Sequence, residues 1–123
     1  MKGKVAIVAS ALLVAMTGSA LAGNDTARFP VNGKQILGTL SYDGTTAYAT
    51  VESVDGSKID RLSVDAAIKY ANGQPVKPSK PRSANNTDYV TTDLTAPGGD
   101  HAYGWFGATH KGKTDSSQIK VYQ

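Results

Sequence analysis

Both histidines of the chain and its only tryptophan fall within ten residues, "HAYGWFGATH", His101 to His110. A histidine pair suggests a metal site or acid–base work, so its geometry comes first. His101 and His110 are nine residues apart. On an extended strand that odd offset puts them on opposite faces and about 30 Å apart, too far to share an ion. Asp100 precedes His101, but neighbours along a strand also point apart. No H-x-x-x-H, H-E-x-x-H or calcium-loop spacing occurs. The serines lack a G-x-S-x-G context, and no glycine-rich phosphate loop precedes a helix. Glu52 is the one glutamate, which excludes a glutamate pair for glycoside cleavage. There are no cysteines, hence no thiolate nucleophile, no disulfide framework and no cysteine-bound metal. The expectation is a non-enzyme with no catalytic residue, no metal and no cofactor.

The aromatic residues of the same stretch are the alternative, and strands must position them. Period-two alternation dominates the chain. In "RLSVDAAIKY", Leu62, Val64, Ala66, Ile68 and Tyr70 alternate with Ser63, Asp65, Ala67 and Lys69. Asp43-Gly44, Asp55-Gly56, Asn72-Gly73 and Pro97-Gly98-Gly99 mark turns, where glycine supplies the positive φ that tight connections need. Six strands are predicted: Lys34–Tyr42, Thr46–Val54, Arg61–Tyr70, Asp88–Thr95, Ala102–His110 and Gln118–Tyr122. The segment 74–87, "QPVKPSKPRSANNT", has three prolines and reads as a linker, since proline cannot donate within a central strand. The prediction is all-β: a small antiparallel β-sandwich of two three-stranded meanders, from halves 34–73 and 88–123.

The halves are related in sequence. A shift of 55 lays Gly44–Asp60 over Gly99–Asp115, with five identities in 17 positions, including Ala47/Ala102 and Tyr48/Tyr103. Read as an internal duplication, the match lets one copy orient the other. In the first copy Ala47, Ala49 and Val51 alternate with Tyr48, Thr50 and Glu52. A lone carboxylate belongs in water, so Glu52 and its face are expected outside and Val51 inside. By analogy Phe106 is core, and Tyr103 and Trp105 face solvent. Trp105 has a second reading, as the core tryptophan of a small β domain, because tryptophan is highly buried on average. On the exposed reading the candidate ligand-binding residues are Tyr103 and Trp105. Tyr48 is their neighbour, and Lys111 and Lys113 stand at the rim.

The N-terminus bears on location. Lys2 and Lys4 precede an apolar run, Val5 to Met16, and a small-residue segment ending Ala20-Leu21-Ala22. This is the pattern of a cleaved signal peptide over 1–22, which leaves one β domain over 23–123. Twelve apolar residues in a helix cover about 18 Å, short of a ~30 Å hydrocarbon core, and no later stretch is more apolar. The mature chain is thus expected to be secreted or periplasmic, without a transmembrane segment. It would hold 11 Lys+Arg against 10 Asp+Glu. That balance argues against a nucleic-acid partner. "KPSKPR" (Lys77 to Arg82) and "HKGK" (His110 to Lys113) read as solvated loops.

"AYATV" (Ala47–Val51) after Ser41-Tyr42, and "GWFGAT" (Gly104–Thr109) before a closing strand ending at Tyr122, resemble the lactococcin 972-type secreted bacteriocins. The resemblance implies two three-stranded antiparallel sheets and interference with cell-wall synthesis. It transfers no functional residue. The leading expectation is a small exported, non-enzymatic β-sandwich that binds a cell-envelope component, a glycan or a protein partner through an aromatic strand face. A secreted bacteriocin-like antibacterial protein is the alternative.

Overall fold

Alternating side chains need a sheet with one face covered, and the chain answers with eight strands, all paired antiparallel. The computed structural model describes residues 23–123, and the predicted signal peptide lies outside them. The strands are β1 (Gly23–Val31), β2 (Lys34–Tyr42), β3 (Thr46–Ser53), β4 (Ile59–Lys69), β5 (Arg82–Thr87), β6 (Tyr89–Thr95), β7 (His101–His110) and β8 (Lys113–Tyr122). They form two four-stranded sheets, β1-β2-β3-β6 and β5-β4-β7-β8. The inner faces share one apolar cluster, so the architecture is the expected all-β sandwich.

The expected division into two three-stranded meanders is corrected. β4, from the first half, lies in the second sheet, and β6, from the second half, lies in the first. The longest strand, β4, buries Leu62, Val64, Ala66 and Ile68 on its inner face. It therefore takes a central place, with β5 on one side and β7 on the other. The shift of 55 lays β3 on β7 and β4 on β8, but these strands do not share a pairing pattern. β3 bonds to β2 and β6, whereas β7 bonds to β4 and β8.

Two strands were not anticipated. β1 joins β2 through Asn32-Gly33, both at positive φ as a two-residue primed turn demands. Its Pro30 is tolerated because β1 is an edge strand. β5 occupies the end of the proline-rich segment, also at an edge. The rest of that segment follows the rim of β4: the Val76 N–H donates to the Ile68 carbonyl and the Lys80 N–H to the Ala66 carbonyl, at 2.9 and 3.2 Å. The predicted linker is thus a cover for the β4 edge. The chain then crosses between sheets at Asp88 alone.

One contact ties the two layers together. Phe106, 1 % exposed, projects inward from β7. A Cβ placed on Gly38 of β2, in the opposite sheet, would sit 2.4 Å from the Phe106 Cγ. A Cβ on Gly104 would sit 2.8 Å from its Cζ. The ring therefore occupies a hollow that exists because both positions lack side chains. Gly38→Ala is expected to destabilise the fold by about 1–3 kcal/mol through overpacking. Adding Phe106→Leu should recover part of that loss. Urea unfolding checks both, and an unchanged midpoint for Gly38→Ala would contradict this packing.

Candidate functional site

With Phe106 inward, parity turns Trp105 out, and it is 36 % exposed on the outer face of the second sheet. The strand register builds that face row by row. Trp105 lies between Asp65 of β4 and Gln118 of β8. Tyr103 lies between Ala67 and Lys120, and His101 between Lys69 and Tyr122. The aromatic rings form one continuous row. Tyr103 stacks on Trp105 with centroids 5.4 Å apart and planes at 22°. His101 meets Tyr103 edge-on at 5.4 Å and Tyr122 at 5.2 Å. Lys120 Nζ stands 5.0 Å from the Tyr122 ring centre and 5.6 Å from that of Tyr103, within cation–π range. Mutual stacking restricts the rings before any ligand arrives, which lowers the ordering cost of binding.

Trp105 is a ridge between two clefts. The first, about 470 Å³, has Gly107 in its floor and Arg61, Arg82 and Ser116 around it. The second, about 480 Å³, lies between Trp105 and the proline-rich segment, with Pro75, Lys77 and Pro78 on its wall. Asp65 lines both. Its Oδ2 accepts from the Ser79 hydroxyl at 3.2 Å, and its Oδ1 is buried with no hydrogen-bond partner.

The structure brings together two of the five candidates, Tyr103 and Trp105. Tyr48 is on the outer face of the other sheet, between Ser41 and Asp93 in the register. It cannot neighbour Trp105 across the sandwich. Lys111 is the first residue of the two-residue β7–β8 turn, and Lys113 opens β8 opposite His110. They lie at the hairpin tip, so the basic residues of the Trp105 face are instead Arg61, Lys69 and Lys120. The polar face of "RLSVDAAIKY" was visible in sequence; that it borders Trp105 follows only from the β4–β7 pairing.

The histidines serve local structure. His101 faces outward and His110 inward, as parity predicts, and both are buried. His110 Nδ1 accepts the Asp60 N–H at 3.3 Å, while Asp60 Oδ2 accepts the Lys111 N–H at 2.8 Å, which fastens the hairpin tip to β4. The expectation that Asp100 and His101 point apart is corrected. Asp100 precedes the strand, so its side chain is free to turn, and Oδ2 lies 2.8 Å from His101 Nδ1. Among the described residues no three histidine, aspartate or glutamate side chains gather as a metal site. No helix among them is long and apolar enough to cross a membrane.

Glu52 overturns the argument that oriented the strand, although the orientation itself is right. It points away from the core, opposite in parity to Val51, yet is only 2 % exposed. It sits on a central strand between half-buried Leu37 and Tyr89, which shut out water. Burial, and secondarily the charge of Asp88, pushes its carboxyl up to about 7. A scan against protein-family models matched none, and searches of curated proteins and of solved structures returned no match.

The Glu52 shift has a definite sign. Between about pH 4.5 and 7 the unfolded chain ionises this group while the folded chain keeps its proton, so stability falls as pH rises through that window. The full loss is at most about 3 kcal/mol and is complete above pH 7. Glu52→Gln should flatten this slope and raise the melting temperature at pH 8. Thermal unfolding from pH 4 to 8 checks it, and an unaltered slope in the variant would refute it.

Proposed function

We propose that this chain is a non-enzymatic binding module working outside the cytoplasm, with its ligand seated on the outer face of the β5-β4-β7-β8 sheet. One observation carries the reading: a preassembled aromatic row ending in exposed Trp105, with a cleft on either side and a basic rim. Aromatic residues held rigidly at a surface supply large contact area at small entropic cost, and they dominate the energetics of recognition sites. The leader pattern of 1–22 supports export. An envelope component is accordingly the proposed class of partner.

Trp105→Ala removes the ridge without opening a core cavity. The variant is expected to unfold close to the parent temperature but to lose retention on isolated envelope material by tenfold or more. Tyr48→Ala, on the opposite sheet, should leave retention unchanged. Co-sedimentation and thermal unfolding measure the two effects. A large loss of stability in Trp105→Ala, or retention equal to the parent, would sink the proposal.

A further inference from the structure

The outer face of the β1-β2-β3-β6 sheet is closed where bare strands would leave it open. Register sets Thr26, Thr39, Thr50 and Thr91 in one row across all four strands. On the two central strands the outward-facing Thr39, Ser41, Thr50 and Glu52 are each at most 8 % exposed. Leu37 and Tyr89 flank Glu52, but the threonine row lacks that shelter. Side chains of equal height cannot roof one another, and among the neighbours of Thr39 on this face only Leu37 outreaches it. Ser63, Asp65 and Gly107 hold comparable central places on the other outer face and are only half-buried. Every described strand lies in one of the two sheets, and the proline-rich segment keeps to the β4 and β6 edges. The cover over the threonine row therefore comes from outside the described residues.

We propose that residues 1–22 lie across this face until the leader is removed, and that their removal uncovers it as a second interaction surface. The inference takes up the leader reading of 1–22 and goes beyond the Trp105 face, which belongs to the other sheet. Three features select this occupant. The described chain begins in β1, an edge strand of this same sheet, and Asn24 is the register partner of Ser41. The segment ahead of Gly23 is thus delivered to the border of the face. Its apolar run, Val5 to Met16, covers about 18 Å as a helix, and the four strands are about 14 Å across at a spacing of about 4.8 Å. The chemistry also matches an apolar cover. The Thr91 hydroxyl turns back to the Ala49 carbonyl at 3.0 Å, which leaves its methyl outward. Both Glu52 oxygens are buried without a hydrogen-bond partner, and the carboxyl keeps its proton up to about pH 7. Arg28 and Asp93, the full charges of the face, stand on the edge strands.

The chain has no cysteine, so one introduced thiol reports on one place. Thr50→Cys is made in the full chain, 1–123, and in the shortened chain, 23–123, and maleimide labelling is timed in both. The thiol is expected to react about tenfold more slowly in the full chain, because burial keeps a thiol protonated and out of reach. Ser116→Cys, exposed on the outer face of the other sheet, should react equally fast in both chains. Val8→Asp with Leu12→Asp in the full chain breaks the apolar run and should speed Thr50→Cys labelling to the rate of the shortened chain. This form also supplies the uncovered state if 23–123 does not fold. Equal Thr50→Cys rates with the apolar run intact, broken or absent overturn the proposal. Slow labelling in every form that gives way on dilution assigns the cover to a second copy and overturns it as well. The envelope-retention assay of Trp105→Ala probes the opposite sheet and decides the functional reading separately.

Discussion

The Phe106 ring, lodged over the two bare positions Gly38 and Gly104, is the constraint on which the other features depend. Strand side chains alternate with period two, so burying Phe106 settles the face of every other residue in β7. Ala102, Gly104 and Ala108 must follow it inward, and Tyr103, Trp105 and Gly107 must face out. A slip of one residue would drive tryptophan into a hollow shaped by glycines and expose the phenylalanine. The same contact holds β2 of one sheet against β7 of the other, so the exterior platform and the interior packing have one physical origin.

The platform also depends on what lies beside it. β7 alone would present two rings on a flat strand. Pairing with β8 adds Tyr122, Lys120 and Gln118, and pairing with β4 adds Asp65, Ser63 and Arg61. The proline-rich segment completes the relief. It lacks the donors to extend the sheet as a central strand. Instead it borders β4, satisfies the Ile68 and Ala66 carbonyls, and raises a wall beyond Asp65. Relief of this kind turns an exposed strand into a place with two clefts and a ridge. The same segment also borders β6 of the opposite sheet, where Lys80 meets Asp93 at 3.5 Å and the Thr92 hydroxyl donates to the Lys80 carbonyl, and the outer face of that sheet buries Glu52.

Much of the fold was legible in the chain. The six predicted strands all exist: β2 coincides with its predicted bounds, β3, β4, β6 and β7 differ by one or two residues at an end, and β8 begins five residues earlier. The signal for β1 is Asn32-Gly33, a strong hairpin dipeptide between "FPV" and "KQIL". β5 has no such signal, because the prolines before it mask a short edge strand. The site was less legible. Glu52 was placed on the correct face for a reason that fails. The rule that a lone carboxylate meets water ignores the height of its cross-strand neighbours, and Leu37 and Tyr89 are tall enough to cover it. Asp100 and His101 were separated by a strand rule that does not hold one residue outside the strand.

Local pattern and chain chemistry by themselves determined the all-β class, most strand positions, the parity of Phe106 against Trp105, and the failure of the histidines to form a pair. Each of these follows from period-two geometry or from residue type, both of which are properties of a single strand. Tertiary structure alone decided which strands became neighbours. It exchanged β4 and β6 between the sheets, moved Lys111 and Lys113 to a distant hairpin tip, and set Asp65, Ser63 and Arg61 beside Trp105. Those placements rest on non-local hydrogen bonds between strands tens of residues apart, whose partners are chosen by burying all the apolar faces at once.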